Sequence, residues 1–269
     1  MVRKDMIFDT HIHFNDRQYQ NGVVDGKDIN TLLSESEIDG VGNWICASYD
    51  SESSLKAVEI ANNDERIWAA IAIHPNDVSK HTQQDLELID KLAKEERVVA
   101  IGETGLDYFY TKEDIDLQKK FFKEHIKIAM DNDLVLQMHI RDAKDVYEAY
   151  DDVIQILKEF KPNRSAVHCF SANAEYAQKF LDLGCYINIG GAVTFKNARD
   201  LQEAVTMIPL ERMLLETDGP YLTPHPFRGQ LNHPKNIMLT AIKIAELKGI
   251  TVEEVIKTTT QNATDLFNL

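Results

Sequence analysis

At 269 residues, 43% hydrophobic and 27% charged, the chain can bury a large core and has the composition of a globular protein, which excludes a disordered or fibrous one. A formal net charge of −15 excludes a broadly basic face for nucleic acid or acidic lipid, although a metal centre inside a pocket can still offer concentrated positive charge to an anionic substrate. Cys46, Cys169 and Cys185 form neither a CxxC pair nor an even disulfide framework, no apolar run reaches the roughly 20 residues that span a bilayer, and Met1–Asp5 leads straight into an apolar run with no signal-peptide core, so a cytoplasmic protein is expected.

Taken in chain order, short apolar runs rich in Val, Ile and aromatic residues cover Met6–His13, Val41–Ser48, Ile67–His74, Val98–Glu103, Leu134–His139, Ala166–His168, Cys185–Gly190 and Met213–Asp218. Helical spacing marks Ser53–Asn62, Gln84–Lys94, Asp116–Asn132, Ala143–Phe160, Ala174–Leu183 and Asp200–Ile208, with a further pair, Lys235–Lys248 and Val252–Asn268, at the end. Ser51 or Ser53, Thr82 and Asn173 are capping residues at helix starts, and Gly184 and Pro209 sit at helix ends. Eight near-continuous apolar strands, each followed by a helix, imply a parallel sheet covered on both faces. An open doubly wound sheet would carry a glycine-rich phosphate loop after its first strand, and none is present. The expectation is an α/β protein: one closed, TIM-like (β/α)8 barrel over residues 1–269, with no linker or internal repeat dividing it.

Most of these runs end in an ionisable or metal-binding residue, at the face where barrel enzymes carry their active sites. His11, His13, His74, His139 and His168 lie there, five of the nine histidines. His11 and His13, two apart on a strand, point the same way and can grip one cation; alone, the pair also fits two structurally satisfied histidines. Glu103 closes a run so apolar that an unpaired carboxylate would be costly, which either a bridge between cations or a salt bridge to Arg or Lys would resolve. His139 and His168 are each compatible with a core histidine bonded to a carbonyl; together they read as ligands of a second metal. Asp218 can bind a metal and accept a proton from water, or cap a turn. Glu216 shares its strand face by parity and receives no role. Cys169, adjacent to His168 on a strand, should face away from it as a packed thiol. Four histidines and two carboxylates suit Zn²⁺, Mn²⁺ or Mg²⁺, with imidazoles favouring transition metals. No GxSxG elbow supports serine chemistry.

The segments Asp-Thr-His-Ile-His, Ala-Ile-His-Pro, Ile-Gly-Glu-Thr-Gly-Leu-Asp-Tyr, Met-His-Ile-Arg-Asp-Ala, Val-His-Cys-Phe-Ser and Glu-Thr-Asp-Gly-Pro-Tyr-Leu occur in one order along the whole chain. In this the sequence resembles the TatD-type metal-dependent deoxyribonucleases of the amidohydrolase superfamily. The resemblance implies a distorted (β/α)8 barrel holding two divalent ions. His11, His13 and Asp218 would hold one, His139 and His168 the other, and Glu103 would bridge them. It also implies hydrolysis of DNA phosphodiesters, often from the 3′ end, with Asp218 as base and His74 near the scissile phosphate. Arg141, Lys196, Arg228 and Asn232 match polar loop positions that would contact phosphates. Where many members read Arg-Asn-Glu-Pro, this chain reads Leu231-Asn232-His233-Pro234, so an arginine and an acid are replaced. The partner expected is single-stranded DNA or a 3′ end, with the protein a monomer. The competing readings are hydrolysis of a small ester, lactone, amide or aminoacyl-tRNA at the same metals, and a non-catalytic metal-binding scaffold.

Overall fold

In the computed structural model, which describes residues 2–110 and 112–269, the apolar runs become eight strands: β1 (Ile7–Ile12), β2 (Val41–Ala47), β3 (Ile67–Ile71), β4 (Val98–Asp107), β5 (Val135–Arg141), β6 (Ser165–Val167), β7 (Tyr186–Ile189) and β8 (Met213–Leu215). Each pairs in parallel with the next, and β8 closes onto β1 through Asp9 and Leu215. The result is the expected closed (β/α)8 barrel.

Helices α1 (Arg17–Gln20), α2 (Ile29–Ile38), α3 (Ser51–Asn63), α4 (Gln83–Leu92), α5 (Ile115–Asp131), α6 (Glu148–Phe160), α7 (Ala174–Asp182), α8 (Arg199–Met207), α9 (Ile237–Lys248) and α10 (Val252–Phe267) surround it. The sequence reading leaves α1 and α2 out. The signal for α2 is nevertheless present: Asp28 caps Thr31, and Leu32, Leu33 and Ser36 form the buried stripe. None of the helices among the described residues is long and apolar enough to cross a membrane.

Two apolar layers result. One lies between the barrel wall and the helices. The other fills the barrel itself with Phe8, Ile45, Trp68, Val99, Val135 and Leu214 and includes Leu266 and Phe267 of α10. Phe8 packs its ring 5.5 Å from Trp68 and 6.4 Å from Phe267, so the last helix closes the end from which the strands start. The opposite mouth is left for polar side chains.

His125, on the buried face of α5, pins that helix to the segment after β3 and to β4. Its Nε2 accepts from Ile73 N at 3.1 Å, and its Nδ1 donates to Phe121 O at 2.8 Å, with Thr104 Oγ1 3.2 Å away. Burial lowers its pKa from 6.5 to about 4. The folded value is the depressed one, so this stability is fully present above the unfolded pKa and is lost as pH falls toward 4, at about 1.4 kcal/mol per pH unit at most. Between pH 7 and pH 5 the parent should therefore lose about 2 kcal/mol more than His125→Gln in urea unfolding. Parallel pH profiles for the two proteins would remove His125 as the source.

Candidate metal centre

The strand ends deliver their histidines to one point, Glu103. Asp9, buried in β1, accepts from Thr217 N, Thr217 Oγ1 and His11 N at 3.0, 2.6 and 3.2 Å, bracing β1 against the end of β8. Burial pushes its carboxyl up to about 8 against those hydrogen bonds. Asp218 follows β8 in the left-handed region at φ 55°, with its N–H donating to His11 O at 2.9 Å. That bend brings Asp218 Oδ1 to 3.2 Å from His13 Nε2.

Each of the four expected histidine ligands has one ring nitrogen committed elsewhere. His11 Nδ1 faces Gln137 Oε1 at 3.2 Å, and His13 Nδ1 faces Ala47 O at 3.0 Å. His168 Nδ1 faces Glu216 Oε2 at 3.0 Å, and His139 Nε2 faces Asp107 Oδ2 at 3.0 Å. Because these partners are acceptors, a proton sits on the committed nitrogen, and the other nitrogen faces Glu103, where a cation could take its lone pair in place of any proton. Glu103 Oε1 lies 3.5 Å from His13 and 4.0 Å from His11, whereas Oε2 lies 3.2 Å from His139 and 3.4 Å from His168.

This donor set fits a metal. His11 Nε2 is buried and has no hydrogen-bond partner among the described residues, a costly state for a polar atom unless a cation takes it. Burial opposes charge on His13 and His139, yet the hydrogen bonds that His13 donates to Asp218 and that His139 donates to Asp107 and Glu103 lift both to about 9. Burial likewise opposes ionisation of Glu103, but His74, His139 and the other imidazoles hold its carboxyl well below the usual range. The cluster draws positive charge to itself. Ligand atoms of His11, His13 and Asp218 lie within 4.8 Å of one another, as do those of His74, Glu103 and His139.

His74 belongs to the second group by distance but differs in its proton. Its Nδ1 accepts from Asn76 N at 3.1 Å, and burial with the neighbouring His139 lowers its pKa to about 4. The neutral ring therefore carries its proton on Nε2, the nitrogen 3.8 Å from Glu103 Oε2. It is a donor facing the cavity.

Two sequence expectations are corrected. Cys169 does not turn away: β6 ends at Val167, strand alternation ends with it, and φ 46° at Cys169 places the residue on the cavity wall beside His168 and Asp218. Burial, then Asp218 and Glu216, pushes its thiol well above the ordinary range, so it remains protonated. Asn232 does not reach substrate space. It is fully buried, donating from Nδ2 to Thr217 O and Tyr221 O at 3.0 and 2.9 Å and accepting from Asn236 on Oδ1. His233 accepts from Lys235 N and approaches Glu35 Oε2 at 3.2 Å, tying this loop to α2.

Arg141 and Arg228 line the cavity, of about 1000 Å³, together with His13, His74, Glu103 and Asp218. Lys196 is exposed and lies outside that lining. Sequence reasoning misses the residues behind the ligands. Glu216 accepts from His168 Nδ1, Cys169 N and Asn188 Nδ2, the last two at 2.7 and 2.8 Å. Asp107 backs His139, with a pKa held at about 2 by His139 against the cost of burial. Parity with Asp218 and with Glu103 was the available signal for each.

The chain is similar to known proteins along almost its whole length. A metal-dependent hydrolase of Bacillus subtilis, YabD, is 40% identical over 98% of this chain and 100% of its own. YcfH of Escherichia coli K12, also named a metal-dependent hydrolase, is 35% identical over 98% and 96%. The crystal structure of YJJV, a TatD homolog from Escherichia coli K12, superposes with a TM-score of 0.90 at 28% identity, covering 99% of each chain. Residues 8–268 match the family described as TatD related DNase, and with relatives this similar along their full length the chain belongs to that family of metal-dependent hydrolases.

Proposed function

We propose that the chain hydrolyses DNA phosphodiester bonds at a centre for two divalent ions bridged by Glu103. The observation that carries this reading is the division of the histidines between the two Glu103 oxygens, His11 and His13 at Oε1, His139 and His168 at Oε2. His11, His13 and Asp218 would hold one ion and His139 and His168 the other, with Mg²⁺, Mn²⁺ and Zn²⁺ all compatible with this set. Bound there, the ions would supply Lewis acidity toward a phosphoryl oxygen and ease ionisation of the attacking water.

The protein's own groups provide the rest. Asp218 accepts the proton of that water. His74 donates from Nε2 to a non-bridging phosphate oxygen, where negative charge builds during attack. Arg141 and Arg228 at the mouth neutralise flanking phosphates, giving an acidic chain a local anion site. Asp107, Glu216, Gln137 and the Ala47 carbonyl hold the four rings in the productive tautomer. Attack from a 3′ end accords with the family resemblance. The net charge of −15 supports a second reading, hydrolysis of a small ester, lactone, amide or aminoacyl-tRNA.

A substrate panel separates the two. Chelator-treated protein should lose hydrolysis of short single-stranded DNA and regain it with Mg²⁺ or Mn²⁺, outpacing p-nitrophenyl carboxylic esters under the same conditions. Activity that survives thorough chelation, or turnover confined to carboxylic esters, refutes the nuclease.

A further inference from the structure

Among the described residues the exposed aromatic side chains are Phe109, Tyr110, Tyr221 and Phe227, and all four belong to the segment after β4 or to residues 220–231 after β8, the two loops that border the metal cavity. Phe109 and Tyr110 leave 49% and 64% of their surface in water, a costly exposure for adjacent rings that no helix or strand covers. Arg141 lies over both, its guanidinium carbon 4.4 Å from the Phe109 centroid and 4.7 Å from that of Tyr110, and it donates to Tyr110 Oη at 3.3 Å. Arg228 repeats the arrangement 4.3 Å from Phe195, another cavity-lining ring.

Neither guanidinium has a carboxylate within ion-pair distance among the described residues, although acids outnumber bases in the chain by 44 to 29. Two positive charges held on aromatic faces and left without acids, at the mouth of one cavity, match a ligand that alternates flat apolar rings with anions. Unpaired nucleotides have that chemistry; a duplex keeps its rings stacked inside.

We propose that Phe109 and Tyr110 with Arg141, and Phe195 with Arg228, form a two-sided clamp that selects unpaired nucleotides: bases stack on the open ring faces, and phosphates accept from the guanidiniums. This rests on the nucleic-acid reading of the centre above. It assigns strand selection to the rim and leaves bond cleavage to the strand ends.

The test measures equilibrium binding to the metal-loaded protein, with fluorescein-labelled phosphorothioate oligothymidine, which resists cleavage, and a blunt phosphorothioate duplex, both followed by anisotropy. The Phe109→Ala/Tyr110→Ala double variant should weaken single-strand binding about 10- to 100-fold and duplex binding by less than about twofold. Phe109→Trp/Tyr110→Trp should restore the single-strand affinity. Unchanged single-strand affinity in the alanine variant, or equal losses for both ligands, overturns the clamp. Cleavage of unmodified oligothymidine by the parent is scored separately. Cleavage with rim-independent affinity removes the clamp alone, whereas a parent that neither binds nor cleaves removes the nuclease reading with it.

Discussion

Glu103→Gln should lower kcat on a phosphodiester substrate by about 10³-fold or more while the barrel stays folded. The substitution is isosteric, so packing in this buried position hardly changes, but the chemistry of one oxygen is reversed. Glu103 presents an acceptor oxygen to each pair of ring nitrogens left for a metal, with Oε1 near His11 and His13 and Oε2 near His139 and His168. Glutamine would present an NH2 group to one pair, so only one side keeps an oxygen, and the negative charge shared by both sides disappears. Bound metal should fall with turnover. Elemental analysis after dialysis should find two equivalents in the parent and at most one in the variant, and near-ultraviolet circular dichroism should match the parent. A variant that keeps its full metal complement and stays within about tenfold of the parent rate would falsify the bridging role.

What was legible in the sequence is what the chain states locally. An apolar run that stops at His13, His74 or His139 names both a strand and the end to look at, and these residues do meet at the barrel mouth. Glu103 was placed at a strand end, yet β4 continues to Asp107 with all ten residues buried. Thr104-Gly105-Leu106-Asp107-Tyr108 reads as a glycine-containing loop, and the pairing of Thr104, Gly105, Leu106 and Asp107 with Met138, His139, Ile140 and Arg141 keeps its first four residues extended. Which ring each orienting group serves was illegible for a different reason. Gln137 stands 126 residues from His11 and Glu216 stands 48 from His168, and no local pattern encodes such pairings. Cys169 shows the limit of parity, which fails where the strand ends and the backbone turns left-handed. Asn232 shows the limit of resemblance: a polar residue in a loop above the site serves that loop's own backbone.

Gly105→Ala should cost about 4 kcal/mol or more, a large share of the roughly 5–15 kcal/mol that holds a domain together. Two effects coincide there. Gly105 has φ 146°, a conformation L side chains rarely adopt, and an added Cβ would fall inside the van der Waals envelope of the His139 carbonyl oxygen on β5. Backbone cannot yield as a flexible side chain can, so β4 and β5 must part. They would part between Glu103 and Asp107, the two carboxylates that contact opposite nitrogens of His139 at 3.2 and 3.0 Å. The loss should therefore appear in function as well as in stability, as a lower urea midpoint and as weaker metal retention by whatever protein remains folded. Gly184→Ala is the control. That glycine also has positive φ, at 82°, but nothing lies within 4 Å of an added Cβ, so only the backbone term of about 1 kcal/mol applies. Equal destabilisation of the two variants would show that conformational strain alone sets the cost and that β4 and β5 are free to separate at Gly105. A much larger loss at Gly105 places the close approach of these strands among the features that hold the metal centre in register.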